Sequence, residues 1–240
     1  MPATAYLHFS RIAVRLLSVA AMVLIAGGAR AQVQAAPVGP CGDPFHNHFG
    51  PFDYRTAPMD IRGMVERPHF PPGVETMTKP SKTTYHYMAQ DVAYTLHVFP
   101  NHHRALNTMM RLGERHKTDP APGARYTVEC YFVRGMQYKP DDTVVRSLYA
   151  LFLTKQKRND DAVRQLELAS EYAKDNPLSH LNIGLLYFDL GRYDRALEAA
   201  HAALALGFTR TDLIDKLKGI NKWTEPGQLS AAPDTPKPNE

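Results

Sequence analysis

The chain has 240 residues, with 28 Lys and Arg against 24 Asp and Glu, and 44% of it is hydrophobic. That balance fits a folded globular protein and excludes a collagen-like, purely coiled-coil or wholly disordered chain. Three of the bases, Arg11, Arg15 and Arg30, fall in residues 1–31 with no acid beside them, which leaves 25 bases against 24 acids in the remainder. A net charge that small supplies no basic field for nucleic acid or an anionic membrane.

Arg11 and Arg15 precede the apolar run Leu16–Ala26, and Ala29-Arg30-Ala31 follows it. A basic stretch, a short apolar stretch and a small-x-small triplet, in that order, form a secretory signal, with cleavage expected after Ala31. The run has 11 residues, against the roughly 20 of a membrane-spanning helix. The alternative is an uncleaved anchor. No later apolar stretch is long enough to span a bilayer, so the mature chain is expected to be exported to the periplasm without a membrane span.

Export bears on the two cysteines, Cys41 and Cys130. An even count in an exported chain suggests one disulfide. Closing a loop of about 90 residues is nominally worth roughly 4–5 kcal/mol in the chain-entropy model. The alternative is two separate thiols, because sequence alone does not bring Cys41 and Cys130 together. Lipidation of Cys41 would need a small residue before it, close behind the apolar run. Pro40 stands there instead, and the apolar run has already ended at Ala26.

Residues 32–80 hold 9 of the 19 prolines together with Phe45, Phe49, Phe52, Tyr54 and Phe70. Proline removes donors and fixes φ, which argues against regular helix or sheet. A disordered linker would be poor in aromatics. The segment 32–82 is therefore expected to be an extended arm that packs on its own body or on a partner.

From Thr83 onward the pattern is helical. Helices are expected near 83–98, 101–117, 124–139, 143–156, 160–174, 177–190, 194–206 and 211–222, with Asn101 as a cap. Gly191 and Gly207 stand where helices should stop. Leu213, Ile214, Leu217 and Ile220 form the apolar face of a last helix that shields the end of the body, closed by Trp223. The tail at 223–240 is proline-rich, nearly lacks large apolar residues and should be disordered.

Internal self-similarity with a period of about 34 residues is the most informative feature. Gly184, Tyr187, Ala196 and Ala203 stand one such period after Ala150, Leu153, Ala162 and Ala169. One step further back, Phe132 falls opposite Leu166 and Ala200, and Gly135 opposite Ala169 and Ala203. Antiparallel helices approach closely only where one of them presents Gly or Ala. On these residues the chain resembles the tetratricopeptide repeat family. The segment Leu181-Asn182-Ile183-Gly184-Leu185-Leu186-Tyr187-Phe188-Asp189-Leu190-Gly191-Arg192-Tyr193-Asp194-Arg195-Ala196-Leu197 looks like a near-consensus repeat. Residues 143–176 look like a second copy, and 101–142 like a divergent one interrupted by Lys117–Gly123. The whole chain, with Cys41-Gly42, Gly50-Pro51-Phe52-Asp53-Tyr54-Arg55 and His69-Phe70-Pro71, is also similar to a group of exported bacterial repeat proteins. The resemblance implies an all-α, short helical-hairpin solenoid over 83–222 that binds protein or peptide partners in a concave groove.

Chemistry-bearing motifs are sparse. His46-Asn47-His48 and His102-His103 are the tight histidine groups. Two imidazoles are too few for a structural or catalytic metal site, and neighbours on a helix face different ways. No His-Glu-x-x-His, paired Cys-x-x-Cys, Gly-x-Ser-x-Gly or phosphate-cradling glycine loop occurs. Glu114, Asp119 and Glu129 flank a Pro-Gly loop and read as solvated carboxylates. The expectation is a non-enzyme without cofactor or metal.

In the family that the chain resembles, the first helix of each pair lines the groove. Here those positions would be Val144, Ser147, Leu151, Leu178, Leu181, Leu185 and Phe188. The expected function is groove binding of a partner segment. The alternatives are an assembly factor or subunit of a cell-envelope complex that makes contact through the arm, and a metal-handling protein using the His clusters. An apolar groove should not stand open to water. Part of the arm, around Phe45–Tyr54 or His69–Val74, is therefore expected to lie on the helical body and cover part of the groove.

Overall fold

A computed structural model describes residues 39–80 and 87–226. Among the described residues there are ten helices and no strand: α1 (Met59–His69), α2 (Pro72–Glu75), α3 (Met88–Val98), α4 (His103–His116), α5 (Val128–Tyr138), α6 (Thr143–Lys155), α7 (Asn159–Ala173), α8 (Pro177–Asp189), α9 (Tyr193–Ala205) and α10 (Asp212–Gly219). The expected signal at 1–31 and the tail beyond Pro226 lie outside the described residues.

Four helices, α4, α5, α6 and α8, start behind a side-chain acceptor. Asp142 accepts from the Val144 and Val145 amides ahead of α6, and Asn176 from the Ser179 amide ahead of α8, where Pro177 takes the first helical position. Thr127 accepts from the Cys130 amide ahead of α5. At α4 the cap is His102 rather than Asn101: its Nδ1 accepts the Ala105 amide at 3.1 Å. The Asn101 side chain is committed elsewhere: its Oδ1 accepts the Tyr54 amide, and its Nδ2 donates to Asp53 and Asp142.

Helix ends repeat one device. Past α6, α8, α9 and α10 stand Lys157, Gly191, Gly207 and Asn221, all in the left-handed region with φ of 60°, 70°, 77° and 55°. In each case that residue and the next return their amides to carbonyls of the last turn; Lys157 donates to Thr154 O and Arg158 to Leu153 O, both at 2.9 Å.

The register expected from the sequence is carried by α6 to α9. The pair α6/α7 starts at 143 and 159 and the pair α8/α9 at 177 and 193, so both starts move by the same repeat period. Ala150, Ala162, Ala169, Ala196 and Ala203 are buried. A Cβ on Gly184 would collide with Leu213 Cδ2 and stand 3.0 Å from Ala199 Cβ, so the side-chain-free position is what lets α9 and α10 close on α8. Leu213 and Leu217 of α10 enter the main core. Trp223 packs edge-on to His201, which donates to Thr224 O at 2.8 Å.

The N-terminal segment departs from expectation in two ways. It contains helix: α1 forms although prolines flank it, because Ile61 and Val65, one turn apart, face a shared apolar cluster. Pro68 stands one residue from the helix end, where a proline interrupts only the last turn. The segment also belongs to the same unit as the helices, but it docks at the α3–α4 corner and not over the α6–α8 face. Phe49, Phe52, Tyr54 and Ile61 pack on Val98 and Phe99, while Phe70, Val74 and Met77 complete the main core. The expected covering of the groove is thus corrected: the apolar target of the aromatics is the end of α3.

Polar links fix the docking. The Phe52 amide donates to Val98 O at 2.8 Å, and Tyr138 Oη to Pro51 O at 3.1 Å. Cys41 and Cys130 form a disulfide with sulfurs 2.07 Å apart, joining the segment to α5 across 89 residues. Beside it, buried Arg134 donates to the carbonyls of Cys41 and Asp43 at 3.0 and 3.1 Å.

Candidate partner groove

Helices α6 and α8 lie side by side, and between them runs a cleft of about 270 Å³. Thr143, Val144, Ser147, Leu148 and Leu151 line it from α6; Ser179, Asn182, Leu185 and Leu186 line it from α8. The spacings 144, 147/148, 151 and 182, 185/186 each mark one face of a helix. The Thr143 and Ser179 hydroxyls are 3.0 Å apart and join the two helices at their N-terminal ends. No charged side chain is among the lining residues.

Of the seven positions expected, Val144, Ser147, Leu151 and Leu185 line this cleft. Leu178 is exposed near the start of α8 and outside the lining. Leu181 is a correction: it is only 3% exposed. It shares its helix face with Gly184 and Tyr187, at i+3 and i+6, and that face turns into the core. Phe188 is partly buried and outside the lining of this cleft. Its ring is engaged by Tyr193, edge-on at 5.3 Å, and by Lys216, whose ammonium lies 4.9 Å from the ring centroid. Thr143, Leu148, Ser179, Asn182 and Leu186 are additions that the sequence reading missed. Leu148 and Leu186 are readable as the second half of an i+3/i+4 pair with Val144 and Asn182.

A larger cleft, about 440 Å³, opens between α7, α8 and α9. Glu167, Glu171, Glu198, Arg195 and His180 are in its lining, and Arg195 is paired with Glu198 at 3.0 Å. Water satisfies such a surface. The smaller α6–α8 cleft is the better candidate because water does not satisfy its leucines.

The histidine groups serve the docked segment. His102 is wholly buried, with Nε2 2.9 Å from Glu66 Oε1. His103 Nε2 lies 2.9 Å from both Asp142 oxygens. Arg55 bridges Asp53 and Asp141, each at 2.9 Å, and its Nε is 3.6 Å from Asp142. Burial by itself would raise the Asp53 and Asp142 carboxyls; hydrogen bonds from Arg55 and Asn101 to the first, and from His103 and Asn101 to the second, hold both below the usual carboxylate value. Hydrogen bonding to His102 brings Glu66 down to about 2 against the cost of its burial, with Tyr54 and Arg104 assisting. Among the described residues, no three His, Cys, Asp or Glu side chains are grouped to hold a metal ion, and no helix is long and apolar enough to cross a membrane.

No protein-family model, no curated protein and no solved structure matches the chain.

Proposed function

We propose that this chain is an exported protein-interaction module, a short tetratricopeptide-like solenoid with a docked N-terminal arm, which holds an apolar segment of a partner protein in the α6–α8 groove. The observation that carries this reading is the uncharged groove itself. Val144, Leu148, Leu151, Leu185 and Leu186 line it from two helices only, and no residue of the docked segment is among its lining. The repeated register of α6 to α9 and the helix ends that α6, α8 and α9 share support the repeat reading. The leader at 1–31 and the Cys41–Cys130 bond support export.

Binding would use no covalent chemistry. Removing apolar area from water is worth about 25 cal/mol per Å², and Asn182 and Ser147 offer hydrogen bonds at the rim. A partner segment could lie there as an amphipathic helix or in extended form.

Photocrosslinking tests the reading in cells. A photoreactive residue at Ser147 should give a discrete adduct in envelope fractions, abolished by Leu151→Asp. The same residue at Arg164, on the exposed side of α7, should give none. Equal adducts at both positions, or none at either, would overturn groove binding. Recovery of envelope protein that retains residues 1–31 would overturn signal cleavage.

A further inference from the structure

We propose that His102 is an acid-sensitive latch: a proton on its Nδ1 removes the cap of α4 and releases residues 52–75 from the helical body.

The two ring nitrogens of His102 have different partners. Nδ1 accepts the Ala105 amide at 3.1 Å, so it carries a lone pair and no hydrogen. Nε2 therefore holds the ring's proton and donates it to Glu66 Oε1 at 2.9 Å. The ring is locked in one tautomer by a helix amide on one side and a carboxylate on the other. A second proton has only Nδ1 to go to. There it would point at the Ala105 N–H, donor against donor, and the α4 cap would be lost.

The surroundings make this ring the keystone of the docked segment. Tyr54 stacks on it with centroids 3.8 Å apart, and Phe70 meets it edge-on at 5.0 Å. Glu66 Oε1 also accepts from Tyr54 Oη at 3.0 Å and from Arg104 Nη2 at 2.8 Å. Tyr54, Glu66 and Phe70 all belong to the segment, whereas His102 and Arg104 belong to the body. Moving the ring therefore disturbs every one of these contacts together.

The charged and titratable groups that face the ring divide by sign. From α1, Glu66 favours an imidazolium. From the ring's own stretch of chain, Arg104 and His103 oppose it, and the Tyr54 hydroxyl is neutral. Burial opposes it most strongly, so His102 ionises below the ordinary imidazole value of 6.5 while docked. The released ring takes its proton near that ordinary value. The docked form is thus fully favoured above about 6.5 and loses ground as pH falls below it. Glu66 is held near 2 while docked, and its own contribution sets in only as pH approaches the ordinary carboxylate value of 4.5. His103 makes a different contact: its Nε2 faces the Asp142 carboxylate, within the helical body. The Cys41–Cys130 bond keeps the segment tethered to α5, so release is a hinged opening that uncovers Val98 and Phe99.

Amide hydrogen exchange on the full disulfide-bonded protein, corrected for intrinsic rates, tests the latch between pH 7.5 and 4.5. Opening of amides in 52–75 and at Ala105 and Leu106 should grow about tenfold per pH unit below roughly 6.5, while α7 and α9 stay unchanged. In His102→Asn the side-chain oxygen can still accept the Ala105 amide but does not titrate, so the slope should vanish. A slope that survives in that variant overturns the latch. Nitrogen-resolved NMR of the imidazole in the unmodified protein provides a check independent of the variant's folding. It should show a bare Nδ1 and protonated Nε2 while the segment is docked; an Nδ1–H tautomer or a charged ring in the docked form overturns the proposal.

Discussion

Asn101 donates from Nδ2 to Asp142 Oδ2 at 2.9 Å, joining the turn before α4 to the turn before α6 across 41 residues. The same Asn101 amide donates to Asp53 Oδ1 at 2.7 Å, and its Oδ1 accepts the Tyr54 amide at 2.9 Å. One buried amide therefore ties the docked segment to the starts of two successive hairpins. Asp142 is the other half of this junction, since it also caps α6, the first helix of the groove.

Asp142→Ala should cost about 2–4 kcal/mol: roughly 1 for the lost cap and the rest for stranding the Asn101 and His103 donors. Asp160→Ala, at a residue whose side chain is 87% exposed, should change stability by less than about 0.5 kcal/mol. Denaturant melts of the two variants decide it, and equal losses would show that the junction is not buried as described.

Lys157 and Gly191 occupy the same place after α6 and α8, both left-handed. A left-handed residue with a Cβ costs about 1–2 kcal/mol. Glycine in its place frees the unfolded chain by about 0.5–1 kcal/mol. Lys157→Gly should therefore be neutral to stabilising by up to about 1.5 kcal/mol, whereas Arg164→Gly inside α7 should cost about 1. A comparable loss in both would place Lys157 outside the left-handed region.

Gly184→Ala adds a Cβ against Leu213 Cδ2 and 3.0 Å from Ala199 Cβ. The leucine tip is locked in the core and the alanine has no rotamer to change, so overpacking should cost about 1–3 kcal/mol. Combined with Leu213→Ala, the total loss should be smaller than the sum of the two separate losses, because the added Cβ then fills part of the space that the leucine leaves. A strictly additive double mutant would mean that the α8–α10 contact is looser than these distances.

Much of this architecture is legible because close helix packing demands small residues, and they recur at a fixed period. Ala162, Ala169, Ala196 and Ala203 mark the buried seams of α6 to α9 from spacing alone. The α1 helix is hidden because proline propensity speaks louder than the single Ile61/Val65 pair. His102 reads in sequence as an ordinary first-turn residue, since its role depends on Glu66 arriving from 36 residues away. Leu181 and Leu185, one turn apart on α8, differ only in a modest rotation about the axis. Spacing along the chain does not separate the core side from the groove side.

The Cys41–Cys130 bond fastens only the start of the docked segment, and its partner lies on α5, ahead of α6 to α9. Reduction should lower the melting temperature and speed exchange in 39–52, leaving α6 to α9 protected. The nominal entropy of so long a loop, about 4–5 kcal/mol, sets the upper end of the loss. Peptide mapping without reductant that found both thiols free in native protein would remove this tether, and with it the hinged character of the release.

Packing and binding can be separated on one helix. Leu181 is a core residue, so Leu181→Ala should cost about 2–5 kcal/mol through lost burial and a cavity. Leu185 is half-buried and borders the open cleft, where a truncated side chain is replaced by water instead of leaving a void. Leu185→Ala and Val144→Ala should then each cost no more than about 1–1.5 kcal/mol and keep the helical circular dichroism unchanged. If the groove holds a partner, these two mild variants should reduce the Ser147 photocrosslink in proportion to the apolar area removed. Loss of stability from Leu185→Ala as large as that from Leu181→Ala would assign Leu185 to the core. An undiminished crosslink in both mild variants would move the partner away from the α6–α8 cleft.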